Sequence, residues 1–147
     1  MSCNTASHCV AVGQSLDRLN NKSPRVLSWG GAGWALGTVA RDPNAQLLQI
    51  KGVSRSGPVC TIVGSSLGYS SLTRSTVIET GSASFTDSSI DHVGELNAVS
   101  GVDKGDCVAV GHQQDRDDPS VQAGALVLTE TNGAWAESVT TAPAART

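Results

Sequence analysis

A five-residue motif occurs three times in this chain, and it constrains the fold more than any other feature. It reads CVAVG at residues 9–13, CTIVG at 60–64 and CVAVG at 107–111, so successive copies are 51 and 47 residues apart. Self-similarity at this period is typical of repeat proteins, in which each unit buries its apolar face against a neighbour. We therefore divide the single repeat domain of 147 residues into three units and a short tail: about 1–49, 50–95, 96–142 and 143–147.

A second element recurs with constant spacing inside each unit. A valine precedes an aromatic residue by 8 positions in all three: Val26 and Trp34, Val77 and Phe85, Val127 and Trp135. Asn132-Gly133, just before the last aromatic residue, is a strong signal for a tight hairpin turn. The apolar runs between such turns predict four short strands in each unit. Four strands in about 40–50 residues favour a blade of a β-propeller over a β-solenoid or an irregular β-sandwich.

Residues 95–138 carry the motifs Leu-Asn-Ala-Val-Ser, Cys-Val-Ala-Val-Gly and a strand that ends in Asn-Gly-Ala-Trp. This order resembles a tandem repeat of β-propeller type that is common in secreted actinobacterial proteins. The resemblance extends over nearly the whole chain. It implies an all-β, propeller-like array of three four-stranded blades of roughly 47–51 residues, a secreted location and no general catalytic activity.

The cysteines depart from the pattern of that family, because only the first unit keeps two of them. Cys3 and Cys9 frame a short loop, and we expect a disulfide that clamps two strand ends in an oxidising compartment, with a metal or redox pair as alternatives. Zinc would need further ligands, so we predict no metal site. Cys60 and Cys107 are expected to be small buried residues rather than each other's partners.

Three units are fewer than the 4–8 blades with which propellers close, and the first unit begins after the Leu-Asn-Ala stretch that we expect to form the strand before the motif. We therefore expect a fragment of a longer secreted protein, whose signal peptide lies upstream. The alternatives are a homo-oligomer that closes the ring and, for a complete chain, a cytoplasmic location.

The lengthened loop of the third unit contains Asp115, Asp117 and Asp118, and His112 precedes it. Clustered carboxylates bind hard cations, but the spacing lacks the glycine-centred pattern of a calcium loop. We regard these four residues as a candidate binding site, with a solvated loop as the alternative.

Trp29, Trp34 and Trp135 are the tryptophans of the chain. Trp34 and Trp135 occupy the aromatic position of the repeat, and we expect both to pack between blades. Trp29 falls where the other units have Thr80 and Glu130, so it is the best candidate for stacking on a sugar or contacting a partner.

The net charge of −3 and the absence of any Lys/Arg run argue against binding to nucleic acid, and no apolar stretch is long enough for insertion into a membrane. We find no catalytic constellation and expect no cofactor. The sequence therefore predicts an extracellular module that binds a protein or glycan, or acts as a scaffold. The alternatives are a fragment of a sialidase-like propeller glycoside hydrolase and a small ring-forming lectin.

Overall fold

The computed structural model describes residues 1–37, 45–56, 59–68, 73–81, 85–103, 106–114, 122–132 and 134–138. The regular elements within these ranges are all β-strands, which confirms the predicted all-β class. They are β1 (Ser2–Thr5), β2 (His8–Leu16), β3 (Lys22–Trp29), β4 (Trp34–Gly37), β5 (Ala45–Ser56), β6 (Val59–Gly68), β7 (Thr73–Gly81), β8 (Phe85–Asp103), β9 (Asp106–Gln114), β10 (Gln122–Thr131) and β11 (Ala134–Glu137).

Each strand pairs antiparallel with the next strand along the chain, except that β4 and β5 belong to different sheets. Strands β1 to β4 form one sheet, and β5 to β11 form a ladder of seven strands. The expectation that the first unit has no strand before its motif is wrong, because β1 pairs with β2 there. This ladder divides at β8, because residues 85–93 pair with β7 whereas residues 94–103 pair with β9. The described strands thus form three four-stranded sheets: a first sheet (β1–β4), a middle sheet (β5–β7 and the first half of β8) and a last sheet (the second half of β8 and β9–β11).

The apolar core lies in two layers, one on each side of the middle sheet. Val10 and Val26 of the first sheet pack against Ile50 and Ile62 of the middle sheet. Val63 follows Ile62 in β6 and points to the opposite face, because side chains alternate along a strand. Val63 packs against four fully buried residues of the last sheet: Leu96, Ala109, Leu126 and Leu128. Residues 61–66 of β6 are consequently all buried, as both faces of the middle sheet are covered.

The first strands of successive sheets are also joined by equivalent hydrogen bonds. The Ser2 hydroxyl accepts a hydrogen bond of 3.0 Å from the Arg55 backbone N–H. The Ser54 hydroxyl accepts one of 3.0 Å from the Gly101 backbone N–H. Arg55 and Gly101 each lie opposite the motif cysteine of their own sheet, as Cys3 does in the first sheet. One serine therefore connects each sheet to the equivalent position of the next.

Strand register refines the correspondence between units. Counted back from the motif cysteine, Ser54 matches Cys3. In the structure, however, Ser2, Ser54 and Ser100 all lie opposite the second residue of the motif. The difference arises because Arg55 and Cys60 are one residue closer in sequence than the corresponding pairs of the other sheets.

The glycine that ends the motif allows two strands to approach closely. At Gly64 a Cβ atom would lie 2.9 Å from the carbonyl carbon of Gln49 and 3.1 Å from the Ile50 Cα. At Gly111 the corresponding distances to Glu95 and its neighbour would both be 2.8 Å. A β-bulge follows each contact, between Ile50 and Gly52 in β5 and at the matching place in β8. Gly13 is different, because nothing lies within 4 Å of its added Cβ.

The β2–β3 turn is closed by Asp17. Its carboxylate accepts hydrogen bonds from the Asn21 side chain at 2.8 Å and from the backbone N–H groups of Asn21 and Leu19 at 2.9 and 2.7 Å. Asn20, at the tip, has a φ of 62°, in the left-handed region that asparagine tolerates. The hydrogen bonds from Asn21 hold the pKa of Asp17 below its ordinary value.

Candidate functional site

Two tryptophans lie side by side on the outer face of the first sheet. Trp29 at the end of β3 pairs with Trp34 at the start of β4, and their ring centroids are 5.7 Å apart at an interplanar angle of 49°. Val26 points into the core, so the alternation along β3 places Trp29 on the opposite face. The side chain of Trp29 is half-buried, and Trp34 is 48% exposed. The structure therefore offers a partly exposed pair of aromatic rings, of which Trp34 is the more accessible.

The turn between these strands brings polar groups close to the pair. Gly31 has a φ of 90°, which few residues other than glycine adopt, and its N-terminal neighbour closes the turn with a hydrogen bond of 3.5 Å to the Gly33 carbonyl. The place of a Cβ on Gly31 is 3.4 Å from the Ser7 Cβ. Ser7 and Thr5 both lie within hydrogen-bonding distance of His8 Nδ1, at 3.2 Å each. Exposed hydroxyl and imidazole groups thus adjoin the tryptophan hairpin.

The predicted disulfide is confirmed. Cys3 and Cys9 are bonded to each other and face one another across β1 and β2, with a Cα–Cα distance of 4.0 Å. Cys9 also pairs with Trp29 across β2 and β3. Paired residues share a face of a sheet, so the disulfide lies on the same outer face as the tryptophans.

The other two motif cysteines have different outcomes. Cys107 is buried, as predicted, and its thiol lies 3.6 Å from the Thr61 hydroxyl, between the middle and last sheets. The side chain of Cys60 lies outside the part of the chain that the structure describes.

His112 belongs to a different surface from Trp29. It is half-buried in β9, where it lies opposite Glu95 on one side and Ala125 on the other. Glu95 forms a salt bridge with Lys51 of the middle sheet. The three aspartates that complete this predicted site lie outside the described residues: Asp115, Asp117 and Asp118. Trp29 and His112 are on the first and last sheets, so the structure does not bring them together.

The aromatic position of the repeat has two outcomes. Trp135 packs against the core between the middle and last sheets, as predicted. The same prediction for Trp34 is wrong, because no described sheet covers the face on which Trp34 lies. The hairpin registers are nevertheless equivalent, since Trp29 pairs with Trp34 and Glu130 pairs with Trp135. Position in the stack, rather than local sequence, decides whether the aromatic ring is exposed.

Sequence reasoning missed a second exposed apolar face, on the last sheet. Cys107 and Ala109 point inward from β9, and the residues that alternate with them point outward. These are Val108 and Val110, which are 43% and 42% exposed. In the motif of the first unit, Val10 is only 3% exposed. The motif itself shows that Val108 and Val110 lie on the opposite face of the strand from Cys107 and Ala109. Which of the two faces is covered depends on the order of the sheets, which the motif does not contain.

Within the described ranges, no three histidine, cysteine or acidic residues come together in a way that could hold a metal ion. The same residues contain no helix with the length and apolar character needed to cross a membrane. Comparisons with protein-family models, with curated proteins and with solved structures found no match to this chain.

Proposed function

We propose that this chain is an extracellular, β-propeller-like repeat module that binds a protein partner through the faces of its outer sheets and performs no catalysis. The observation that carries the proposal is the repetition of one contact between sheets. The first sheet packs on the middle sheet as the middle sheet packs on the last, with an equivalent serine hydrogen bond at each junction.

A propeller requires sheets that converge on one side and diverge on the other. The contacts between described sheets are concentrated on the strands at one side, chiefly β5 with β1, β2 and β3, and β8 with β5 and β6. A Cβ on Gly52 would lie 3.0 Å from the Ala98 Cα, so the backbones of β5 and β8 nearly touch. The strands farthest from this side, β4 and β11, have no comparable contact with a neighbouring sheet among the described residues. This pattern supports a fan, in which the sheets are close together at their first strands and far apart at their last strands. It disfavours a parallel stack, in which the sheets are equally spaced at both sides.

The secreted location is supported by the Cys3–Cys9 disulfide. Disulfides persist in oxidising compartments and are rare in reducing ones. The resemblance of the repeat to secreted actinobacterial proteins agrees with this assignment.

Distances between spin labels can test the fan. One doubly labelled variant carries labels at Asn4 and Val102, on the first strands of the first and last sheets, and the other carries them at Leu36 and Ala136, on the outermost strands. Cys60 and Cys107 are replaced by alanine, and labelled protein is diluted with unlabelled protein so that only distances within one chain contribute. A fan gives a clearly longer distance for the outer pair. Equal distances would show a parallel stack and contradict the propeller.

A second candidate function is the binding of a glycan at the tryptophan pair. Aromatic rings beside hydroxyl groups suit a sugar, which presents an apolar face and a polar rim. The observation that favours it is the 48% exposure of Trp34 in a hairpin whose turn, at Gly31, lies against Ser7. On a glycan array, Trp34→Ala should then lower binding at least tenfold, whereas Leu36→Ala, an exposed apolar residue on the same strand, should not. Absence of binding by the unmodified protein would reject this candidate.

The non-catalytic part of the proposal has its own test. The sialidase-like alternative predicts turnover of a fluorogenic sialoside, and sustained hydrolysis by the purified chain would overturn the binding-module assignment.

A further inference from the structure

We propose that two copies of this chain associate head to tail, with the outer face of the last sheet in one copy packed on the outer face of the first sheet in the other. The inference rests on the proposed function, because it names the protein partner as a second copy. It is carried by the internal repeat, since the molecule already contains the same interface twice.

The outer face of the last sheet matches the face that the first sheet buries. Val108 and Val110 occupy the motif positions of Val10 and Val12. Val10 is buried in the core between the first and middle sheets, and Val12 packs against that core. Val108 and Val110 point the same way from their own sheet, where no further described sheet lies. The last sheet therefore presents the surface on which a next sheet would pack.

The outer face of the first sheet matches the face that the last sheet buries. Leu27 and Trp34 correspond to Leu128 and Trp135, which face the middle sheet and contribute to its second core. In the first sheet the same two positions are exposed. At these positions the outer face of the first sheet therefore matches the inner face of the last sheet, which is already in contact with the middle sheet.

Particular contacts fix how the second copy would dock. Thr61 of the middle sheet lies against Cys107 of the last sheet, and the equivalent contact between copies joins Val108 to Cys9. Cys9 is part of the disulfide, so an apolar valine meets an apolar disulfide. The polar residue Glu130, buried on the inner face of the last sheet, is replaced by Trp29 on the outer face of the first. One exchange goes the other way: Arg25, which donates a hydrogen bond to the Ser15 hydroxyl, stands on this face where the last sheet buries Leu126, so the interface between copies contains a charge that the internal one lacks.

The serine hydrogen bonds supply the register of this interface. Ser2 and Ser54 each accept from the backbone of the following sheet, at Arg55 and Gly101 respectively. Ser100 is the third member of the series and is exposed. By the same pattern, the Ser100 hydroxyl would accept a hydrogen bond from the backbone N–H of Cys3 in the second copy.

A contact between two different faces is heterologous, and it forms either a closed ring or an open fibre. Two copies of three sheets give six, which lies within the range of closed propellers, about 4–8 blades. Closure at two copies uses both outer faces of both copies and leaves none exposed.

Sedimentation velocity of the full chain with its disulfide intact tests the inference. The wild type should sediment with twice the chain mass of 15.0 kDa. Val108→Lys and Leu27→Lys each place an unpaired charge in both interfaces and should each weaken the dimer by roughly 100-fold or more. Leu19→Lys is the matched control, because Leu19 is an exposed leucine in the β2–β3 turn, away from both faces, and should leave the dimer intact. Circular dichroism verifies that all three variants fold.

Mixing the two face variants distinguishes head-to-tail contact from other modes. Val108→Lys keeps an intact first-sheet face, and Leu27→Lys keeps an intact last-sheet face, so an equimolar mixture should regain a dimer through one unmodified interface. A dimer that is lost in only one of the variants would indicate a contact between identical faces and overturn the inference. A wild type that remains monomeric at all concentrations, or that grows beyond two copies, would also overturn it. The spin-label distances are measured within one chain, so they test the propeller-like arrangement of the sheets independently of whether two copies associate.

Discussion

The motif glycines provide a stability test in which the three units serve as controls for one another. Gly13, Gly64 and Gly111 end the same motif, yet their surroundings differ. Replacement of Gly64 by alanine would place a Cβ atom 2.9 Å from the Gln49 carbonyl carbon, with the carbonyl oxygen closer still. At Gly13 the added Cβ would meet nothing within 4 Å. The same substitution should therefore destabilise one position and not the other.

The size of the difference follows from the contact distances. Carbon atoms in favourable contact are about 3.5–4.0 Å apart. The methyl group added by Gly64→Ala would thus force β5 away from β6 by roughly half an ångström or more, and the obstructing atoms are backbone that cannot rotate aside. Overpacking of this kind costs about 1–3 kcal/mol, occasionally more. Gly13→Ala instead reduces the freedom of the unfolded chain and should stabilise by about 0.4–1 kcal/mol.

Urea unfolding followed by tryptophan fluorescence measures both effects. With a slope of about 2 kcal/mol per molar urea, a difference of about 1.4–4 kcal/mol between Gly64→Ala and Gly13→Ala separates their midpoints by about 0.7–2 M. The urea midpoint of Gly111→Ala should be close to that of Gly64→Ala, because its added Cβ would lie 2.8 Å from the Glu95 carbonyl carbon. Equal midpoints for all three variants would refute the assigned approach of β5 to β6 and of β8 to β9.

Three further outcomes are expected. Leu128→Ala empties a fully buried position and should cost about 2–5 kcal/mol in urea unfolding, whereas Leu19→Ala, at an exposed leucine in the β2–β3 turn, should cost less than half as much; similar losses would contradict the burial of Leu128. Replacement of both Cys3 and Cys9 by alanine should lower the free energy of unfolding by about 2 kcal/mol, the loop-closure value for a short loop, and no change would show that the disulfide is dispensable. Hydrogen bonds in the β2–β3 turn lower the pKa of Asp17 below its ordinary value of 3.8. Their contribution to stability is therefore present above pH 3.8 and is lost as the pH falls through the folded-state pKa. A midpoint at or above 3.8 in a carbon-13 NMR titration of Asp17 would contradict these hydrogen bonds.

The sequence predicted the strands and their order well, because both depend on local patterns. Apolar runs between turn residues give the strands, and the valine-to-aromatic spacing gives the hairpin in which Trp135 pairs with Glu130. Asn132 adopts a φ of 53° in that hairpin, as its turn signal indicated. Two details differ from the prediction, and the first is that a strand, β1, does precede the motif of the first unit. The expected third and fourth strands around Phe85 and Leu96 are a single strand, β8, which serves two sheets.

Burial could not be predicted from the motif, because it depends on which sheets lie on either side. The second residue of the motif is Val10, Thr61 or Val108. The first two are buried against a following sheet, and Val108 is exposed although its local sequence is nearly that of Val10. The serine series was hidden for a related reason. Its members align by strand register, and the shorter β5–β6 connection shifts Ser54 out of the sequence alignment.

The outer faces themselves argue that this stack is built to be covered. Terminal units of open repeat arrays carry polar outer faces, since nothing packs on them. Four positions on the outer faces of the first and last described sheets keep the apolar residues of internal faces: Val108 and Val110 on the last sheet, and Leu27 and Trp34 on the first. Arg25, at the position of the buried Leu126, is the exception. An array that functioned as an isolated stack would have polar residues at these four positions. Apolar residues at these positions suit packing of the last-sheet face of one copy on the first-sheet face of another. For this reason we favour a second copy over a sugar as the occupant of the first-sheet face.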